Sequence, residues 1–315
     1  MSTIRAVVVE EGAPARLALK DVDEPSPGPS EALVRVAAVS LNRGEVRRAQ
    51  SDEPGARPGW DVAGTVERAS PDGSGPSEGA RVVGLLASGA WSELAAVPTD
   101  ALAELPPGVS FTQASALPVA GLTALYALDK ARGIVGRNVL ITGASGGAGH
   151  FAVQLARRAG AHVVGLVRRA EHTDLVLGAG AHEVVVSEDG SGASDHAPYD
   201  LVLDAVAGPV LGNALGMLAP DAVCVLFGAT AATETTFELG SFFRGGGATL
   251  YGFFLFHEVL SNPASSGLSR LARMVADGSL TANVSTEAKL DDIGEVAQAL
   301  LDRGFTGKAV LHVSE

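Results

Sequence analysis

The run Asn138-Val139-Leu140-Ile141-Thr142-Gly143-Ala144-Ser145-Gly146-Gly147-Ala148-Gly149 decides the fold. Its apolar opening reads as a buried strand. Gly143, Gly146 and Gly149 then permit a tight turn and a close backbone approach. Beyond the turn, Phe151, Leu155 and Ala159 recur four apart with Ala152 and Ala156 beside them, as one apolar helix face requires. Strand, glycine turn and helix in that order suit a dinucleotide. The first turn of the helix points free N–H groups and its positive dipole end at a pyrophosphate, contacting it through Gly143, Ser145, Gly146, Gly147, Ala148 and Gly149. A glycine-rich turn kept only for packing would look similar.

Outward from this segment the two directions differ. Toward the C-terminus, helical stretches alternate with compact apolar runs at Val163–Val167, Glu183–Val186, Leu201–Asp204, Val223–Phe227 and Thr249–Phe254. That alternation predicts an α/β fold, a Rossmann doubly wound parallel sheet covered on both faces. Toward the N-terminus, short runs at Val7–Val9, Leu33–Val39, Val62–Val66, Arg81–Leu85 and Ser92–Val97 are separated by Pro and Gly. They predict a partly closed β-barrel or sandwich, with Ala69–Glu78 as an exposed loop. The last section, with helical stretches at Gly267–Asp277 and Asp291–Asp302 and a strand at Ala309–Val313, is too short to stand alone and is expected to rejoin the N-terminal part.

The end of the second strand carries a charge that reads the ligand. An NAD enzyme places an acid there for the ribose 2′-hydroxyl, whereas this chain has Val167-Arg168-Arg169. Two guanidinium groups suit a 2′-phosphate and so favour NADPH, although solvated arginines at a helix start would look the same. The 315 residues carry a net charge of −13, which argues against nucleic acid or an anionic membrane as partner. One cysteine, Cys224, excludes an internal disulfide and sits in an apolar run that reads as core. With neither a membrane-length apolar stretch nor a signal-like N-terminus, a cytoplasmic protein is expected.

Five stretches together are specific. They are Val39-Ser40-Leu41-Asn42, Pro58-Gly59-Trp60-Asp61-Val62-Ala63-Gly64, Gly121-Leu122-Thr123-Ala124, the glycine turn continuing into His150-Phe151-Ala152-Val153-Gln154-Leu155-Ala156, and Gly307-Lys308-Ala309-Val310. With them the chain resembles the medium-chain dehydrogenase/reductase superfamily, in its zinc-free quinone oxidoreductase and enoyl reductase branch. The resemblance implies a GroES-like, partly closed β-barrel catalytic domain from residues 1–113 and 254–315, enclosing an NADP-binding Rossmann domain at 114–253. It further implies that Asn42 and Thr123 contact the nicotinamide half, that Phe227-Gly228 and Phe254-Leu255 line its slot, and that Lys308 lies near the coenzyme phosphates or the pocket wall. Each has a plainer reading: Asn42 capping a turn, Thr123 a helix, the phenylalanines as core.

The departures bear on chemistry. Zinc-dependent relatives have a Cys near Asn42, a Gly-His-Glu where this chain has Gly59-Trp60-Asp61, and a four-Cys lobe that one cysteine cannot supply. No His-x₃-His pair is present either, so no metal site is expected. Some enoyl-thioester reductases of the branch carry a proton-donating Tyr shortly after the Asn, where this chain reads Glu45-Val46-Arg47-Arg48. His257 and Tyr251 are weak substitutes, and Arg43, Arg47 and Arg48 could serve an acidic substrate or form a solvated face. The reaction implied is hydride transfer from NADPH to a quinone or an α,β-unsaturated carbonyl. A dedicated enoyl reductase and a non-catalytic NADPH-binding sensor or structural protein remain open. The apolar strand Thr249–Phe254 would be an exposed sheet edge, so a homodimer is expected.

Overall fold

A computed structural model describes residues 2–131 and 133–313. The chain forms two compact units, one from residues 1–122 with 259–315 and the other from residues 123–258.

The first unit begins with β1 (Thr3–Val9) and β2 (Leu17–Asp23), an antiparallel pair. Then come β3 (Glu31–Leu41), α1 (Arg43–Ala49), β4 (Asp61–Arg68), β5 (Arg81–Leu85), β6 (Leu94–Pro98) and β7 (Leu102–Glu104). β2 and β7 are absent from the sequence reading, because β2 is largely polar and β7 is three residues long. Two short helices follow, α2 (Phe111–Ser115) and α3 (Pro118–Leu128), and α3 carries the chain into the second unit. The first unit extends to Leu122 because the start of α3 is anchored in it. Val119 N donates to Asp61 Oδ1 at 2.9 Å, and a Cβ on Gly121 would come within 2.9 Å of Leu271.

The second unit is the α/β sheet. Its elements are β8 (Asn138–Thr142), α4 (Gly147–Arg158), β9 (His162–Val167), α5 (Thr173–Gly178), β10 (Glu183–Val186), β11 (Tyr199–Asp204), α6 (Gly208–Leu215), β12 (Leu218–Leu226), α7 (Leu239–Arg244), β13 (Thr249–Gly252) and α8 (Leu255–Glu258). The spatial order is β10-β9-β8-β11-β12-β13, and every pairing is parallel. Val139, Leu140 and Ile141 of β8 are buried, as a central strand with helices over both faces requires. α4 covers it with Phe151, Leu155 and Ala156, and truncating Phe151 to Ala would cost about 3–5 kcal/mol. β13 is an edge strand that ends at Gly252, two residues before the apolar run does.

The chain then returns through α9 (Ala264–Ala276), β14 (Val284–Lys289), α10 (Ile293–Leu301) and β15 (Lys308–His312). β15 pairs antiparallel with β3, matching Ala309 to Leu41, and β14 pairs parallel with β15. The last section therefore completes the sheet of the first unit, whose order is β14-β15-β3-β4-β5-β7 with β6 also on β3. β14 escapes a reading by hydrophobic pattern, because its residues alternate only between half-buried and exposed. Trp91, fully buried, centres this unit's core and donates its Nε1 to Ser40 O at 3.3 Å.

Candidate functional site

In the second unit, the sheet order reverses direction between β8 and β11, because β9 and β10 lie to one side and β12 and β13 to the other. Open α/β sheets bind ligands outside the carboxyl ends of the strands at such a switch. Gly143 leaves β8 there with φ of +59°, a left-handed conformation that suits glycine. Gly146 is the N-cap of α4, and a Cβ on Gly149 would lie 2.2 Å from Gly143 O. Helix and turn are thus in backbone contact. The first-turn amides of α4, from Gly147 to Gly149, have no partner within the helix. Sequence reasoning missed the residue that braces this edge. Asp204, fully buried at the end of β11, accepts from Thr142 Oγ1 at 2.6 Å and from Ala207 N at 2.7 Å. Burial raises its pKa against those hydrogen bonds. Its position at the end of an apolar strand was the available signal.

The parallel register aligns Thr142 with Leu166, so Gly143 and Val167 leave the sheet side by side and Arg168-Arg169 come next. Arg168 is exposed. Arg169 pairs with Glu171 at 3.2 Å, and its Nη2 meets His172 Nε2 at 2.8 Å. Burial and then Arg169 lower the pKa of His172, which keeps the ring neutral and lets Nε2 accept. On the other side of the switch, Phe227 N donates to Asp204 O at 2.9 Å, and a Cβ on Gly228 would meet Ala205 O at 2.7 Å. Phe253 N donates to Leu226 O at 2.8 Å. Phe227-Gly228 and Phe254-Leu255 therefore follow the carboxyl ends of β12 and β13, on the edge that carries the glycine turn. Phe254 is exposed, against a default reading as core, while Leu255 is buried. Thr123 is buried within α3.

The first unit holds a second cluster, made of side chains. Asn42 caps α1, and both hydrogens of its amide are spent: Nδ2 donates to Glu45 Oε1 at 2.9 Å and to Asp61 Oδ2 at 2.7 Å. Its Oδ1 accepts from Lys308 Nζ at 2.6 Å. Two carboxyl groups on one side and an ammonium on the other fix which end of the amide is oxygen. Lys308 is 3% exposed and also donates to Leu41 O at 3.0 Å and Asp61 Oδ2 at 3.2 Å, while Ser40 Oγ donates to the same Asp61 oxygen at 2.6 Å. All three ammonium hydrogens are therefore used inside the unit, where Lys308 forms a buried ion pair with Asp61. Burial, then the charge of Asp61, holds the Glu45 pKa well above the ordinary carboxylate range, against the pull of Lys308 and Asn42. One cation facing two acids is balanced when one of the acids, Glu45, is neutral.

The remaining candidates are drawn into structure. Arg43 donates to Leu301 O at 3.0 Å and Arg48 pairs with Asp52 at 3.5 Å. Trp60 Nε1 donates to Ala87 O at 3.1 Å. The Tyr251 hydroxyl donates to Glu258, which also pairs with Lys130, while His257 is exposed. Burial opposes ionisation of Glu258, but its bonds to Lys130 and Tyr251 outweigh this and lower its pKa. Tyr251 is thus committed to an ionised carboxylate, which disfavours it as a free proton donor. Cys224 is fully buried and its thiol is pushed up by burial, as a core residue should be. Among the described residues, no group of three or more His, Cys, Asp or Glu side chains could hold a metal, and no helix is long and apolar enough to cross a membrane.

Comparison with known proteins fits both units. Residues 28–107 match the alcohol dehydrogenase GroES-like domain and residues 147–271 the domain described as zinc-binding dehydrogenase. A chloroplastic quinone-oxidoreductase of Triphysaria versicolor is 36% identical over 211 residues, 62% of this chain and 64% of that protein. A mycocerosic acid synthase-like polyketide synthase of Mycobacterium tuberculosis is 31% identical over 306 residues, 92% of this chain but 14% of that protein. The chain thus spans less than two thirds of these relatives. A solved mycobacterial structure, described as a complex with NADPH, superposes with a TM-score of 0.88 at 28% identity, covering 98% of this chain and 100% of the other. The sheet order, the glycine turn and these matches lead to one placement: the chain belongs to the medium-chain dehydrogenase/reductase superfamily of oxidoreductases, in its quinone oxidoreductase branch.

Proposed function

We propose that this chain is an NADPH-dependent oxidoreductase that passes a hydride to a quinone or to the β-carbon of an α,β-unsaturated carbonyl, without zinc. The observation that carries the reading is the turn at residues 143–149. It opens α4 at the switch point, with Arg168 and Arg169 at the end of the adjacent strand. The cradle fits a diphosphate: backbone fills the space that side chains would occupy at Gly149, and the amides of Gly147 to Gly149 are free to donate. The two arginines suit a 2′-phosphate. The mycobacterial neighbour bound to NADPH supports the same coenzyme.

When bound, the reduced nicotinamide supplies the hydride. The chain's own part is to hold and align it and to meet the charge that develops on the substrate oxygen. Asn42 can give no N–H for that purpose without breaking its bonds to Glu45 and Asp61, so its contribution is to orient or to accept. Zinc independence rests on donor types. Trp60 stands where zinc-dependent relatives have histidine, Asn42 has no neighbouring cysteine, and Asp61 is held by Lys308 and Ser40. The exposed edge β13, with Leu250 42% exposed, supports a homodimer in which this strand meets its own copy. Sedimentation as a monomer at micromolar concentration would count against that.

A dedicated enoyl reductase is the second reading, favoured by the match to part of a polyketide synthase over 92% of this chain. Titration with NADPH and NADH tests the coenzyme, in wild type and in Arg168→Ala/Arg169→Ala. Loss of NADPH absorbance with a panel of quinones, enones and unsaturated thioesters then separates the substrates. No binding of either coenzyme would end the account.

A further inference from the structure

We infer that Glu171 is a coenzyme-specificity residue: it occupies the guanidinium of Arg169 and so handicaps the 2′-phosphate that the same arginine would bind. This inference rests on the coenzyme reading above. The register places Arg168-Arg169 immediately after the position level with Gly143, where the adenosine end of a dinucleotide on this turn would reach. The arginine at 169 is not idle there. Its Nε lies 3.2 Å from Glu171 Oε1, and its Nη2 lies 2.8 Å from His172 Nε2. The His172 side chain is 15% exposed and anchors one side of the guanidinium, while the Glu171 side chain is 64% exposed and can swing away.

Charge decides the contest. An exposed carboxylate–guanidinium pair contributes little, whereas a phosphate monoester brings nearly two negative charges and three acceptor oxygens. The phosphate therefore displaces Glu171 from Arg169. A carboxylate two residues away along the chain is still left close to the incoming dianion, and that residual repulsion falls on NADPH alone. NADH brings a hydroxyl to the same place and meets no such penalty. Arg168, exposed, then carries more of the phosphate recognition than its neighbour.

The test compares wild type, Glu171→Gln, Arg169→Ala and the double variant for binding of NADPH, NADH, 2′,5′-ADP and 5′-AMP, by titration calorimetry at low and moderate salt. Glu171→Gln keeps the size and polarity of an exposed side chain, so folding is not at stake. We expect NADPH and 2′,5′-ADP to bind about three- to tenfold more tightly to Glu171→Gln, with NADH and 5′-AMP unchanged. In the Arg169→Ala background the gain should shrink, because the competition for the guanidinium is gone and only the carboxylate–phosphate repulsion remains. Salt should narrow the gap between wild type and variant. An unchanged NADPH affinity in Glu171→Gln overturns the inference while leaving the coenzyme reading intact. So does a shift in preference that comes only from weaker NADH binding, which would make Glu171 a ribose contact. If wild type binds neither NADPH nor 2′,5′-ADP, the coenzyme reading itself fails.

Discussion

The glycine turn of the second unit and the Asn42 cluster of the first are built from different material. At residues 143–149 the working groups are backbone amides, and the side chains matter chiefly by being absent. Around Asn42 the working groups are side chains drawn from β3, α1, β4 and β15, closed by a cation 266 residues away in sequence from the amide it holds. A backbone site can be written in one contiguous stretch of sequence. A side-chain site is written in pieces, and its stability depends on every piece arriving with the right charge.

If that distinction holds, mutations should separate the two. The largest loss of stability is expected from Lys308→Met, which leaves Asp61 fully buried and without its counter-ion. A cost of about 3–5 kcal/mol in chemical denaturation is expected, and a cost under about 1 kcal/mol would show that the pair is not the keystone of its cluster. Gly149→Ala comes next. Its Cβ would press on Gly143 O, forcing α4 off the turn at about 1–3 kcal/mol, with NADPH affinity falling at least about tenfold. Near-normal affinity there would break the backbone account. Arg168→Ala/Arg169→Ala should leave the melting temperature within a degree or two, because exposed surface changes are nearly neutral, while weakening NADPH about tenfold or more relative to NADH.

The smallest effect is expected from Glu45→Gln, and it carries a sign. The Glu45 pKa is raised in the folded protein by burial and by Asp61. A carboxyl of that kind contributes fully below its ordinary value of 4.5, and its contribution is lost as pH climbs through the raised value. Wild type should therefore lose melting temperature relative to Glu45→Gln as the solution is made more alkaline, with the two closest to their acid-side difference below that point. A wild type that gains on the variant as pH rises would mean that Glu45 is ionised and the charge balance of the cluster is misassigned.

The legibility of each region follows from its construction. β8, the turn and α4 were readable because a buried apolar strand, spaced glycines and a four-residue apolar period occupy one window, and Arg168-Arg169 announce themselves by standing where an NAD enzyme would place an acid. β2, β7 and β14 were not readable, because short or half-exposed strands carry no clean alternation. Asn42 and Lys308 could be singled out by resemblance, but their contact could not. Nothing local in Gly307-Lys308-Ala309 says that the ammonium turns inward, and nothing in Glu45 alone says that it is buried. Those facts come from β15 pairing with β3.

That pairing also sets the order in which a nascent chain can mature. The second unit is one continuous segment and can close on itself while the remainder is still being translated. The first unit cannot: Asp61 must wait for β15 to leave the ribosome before Lys308 reaches it. A stop codon placed just before β15 should therefore yield a protein whose α/β half resists protease while its N-terminal half is degraded.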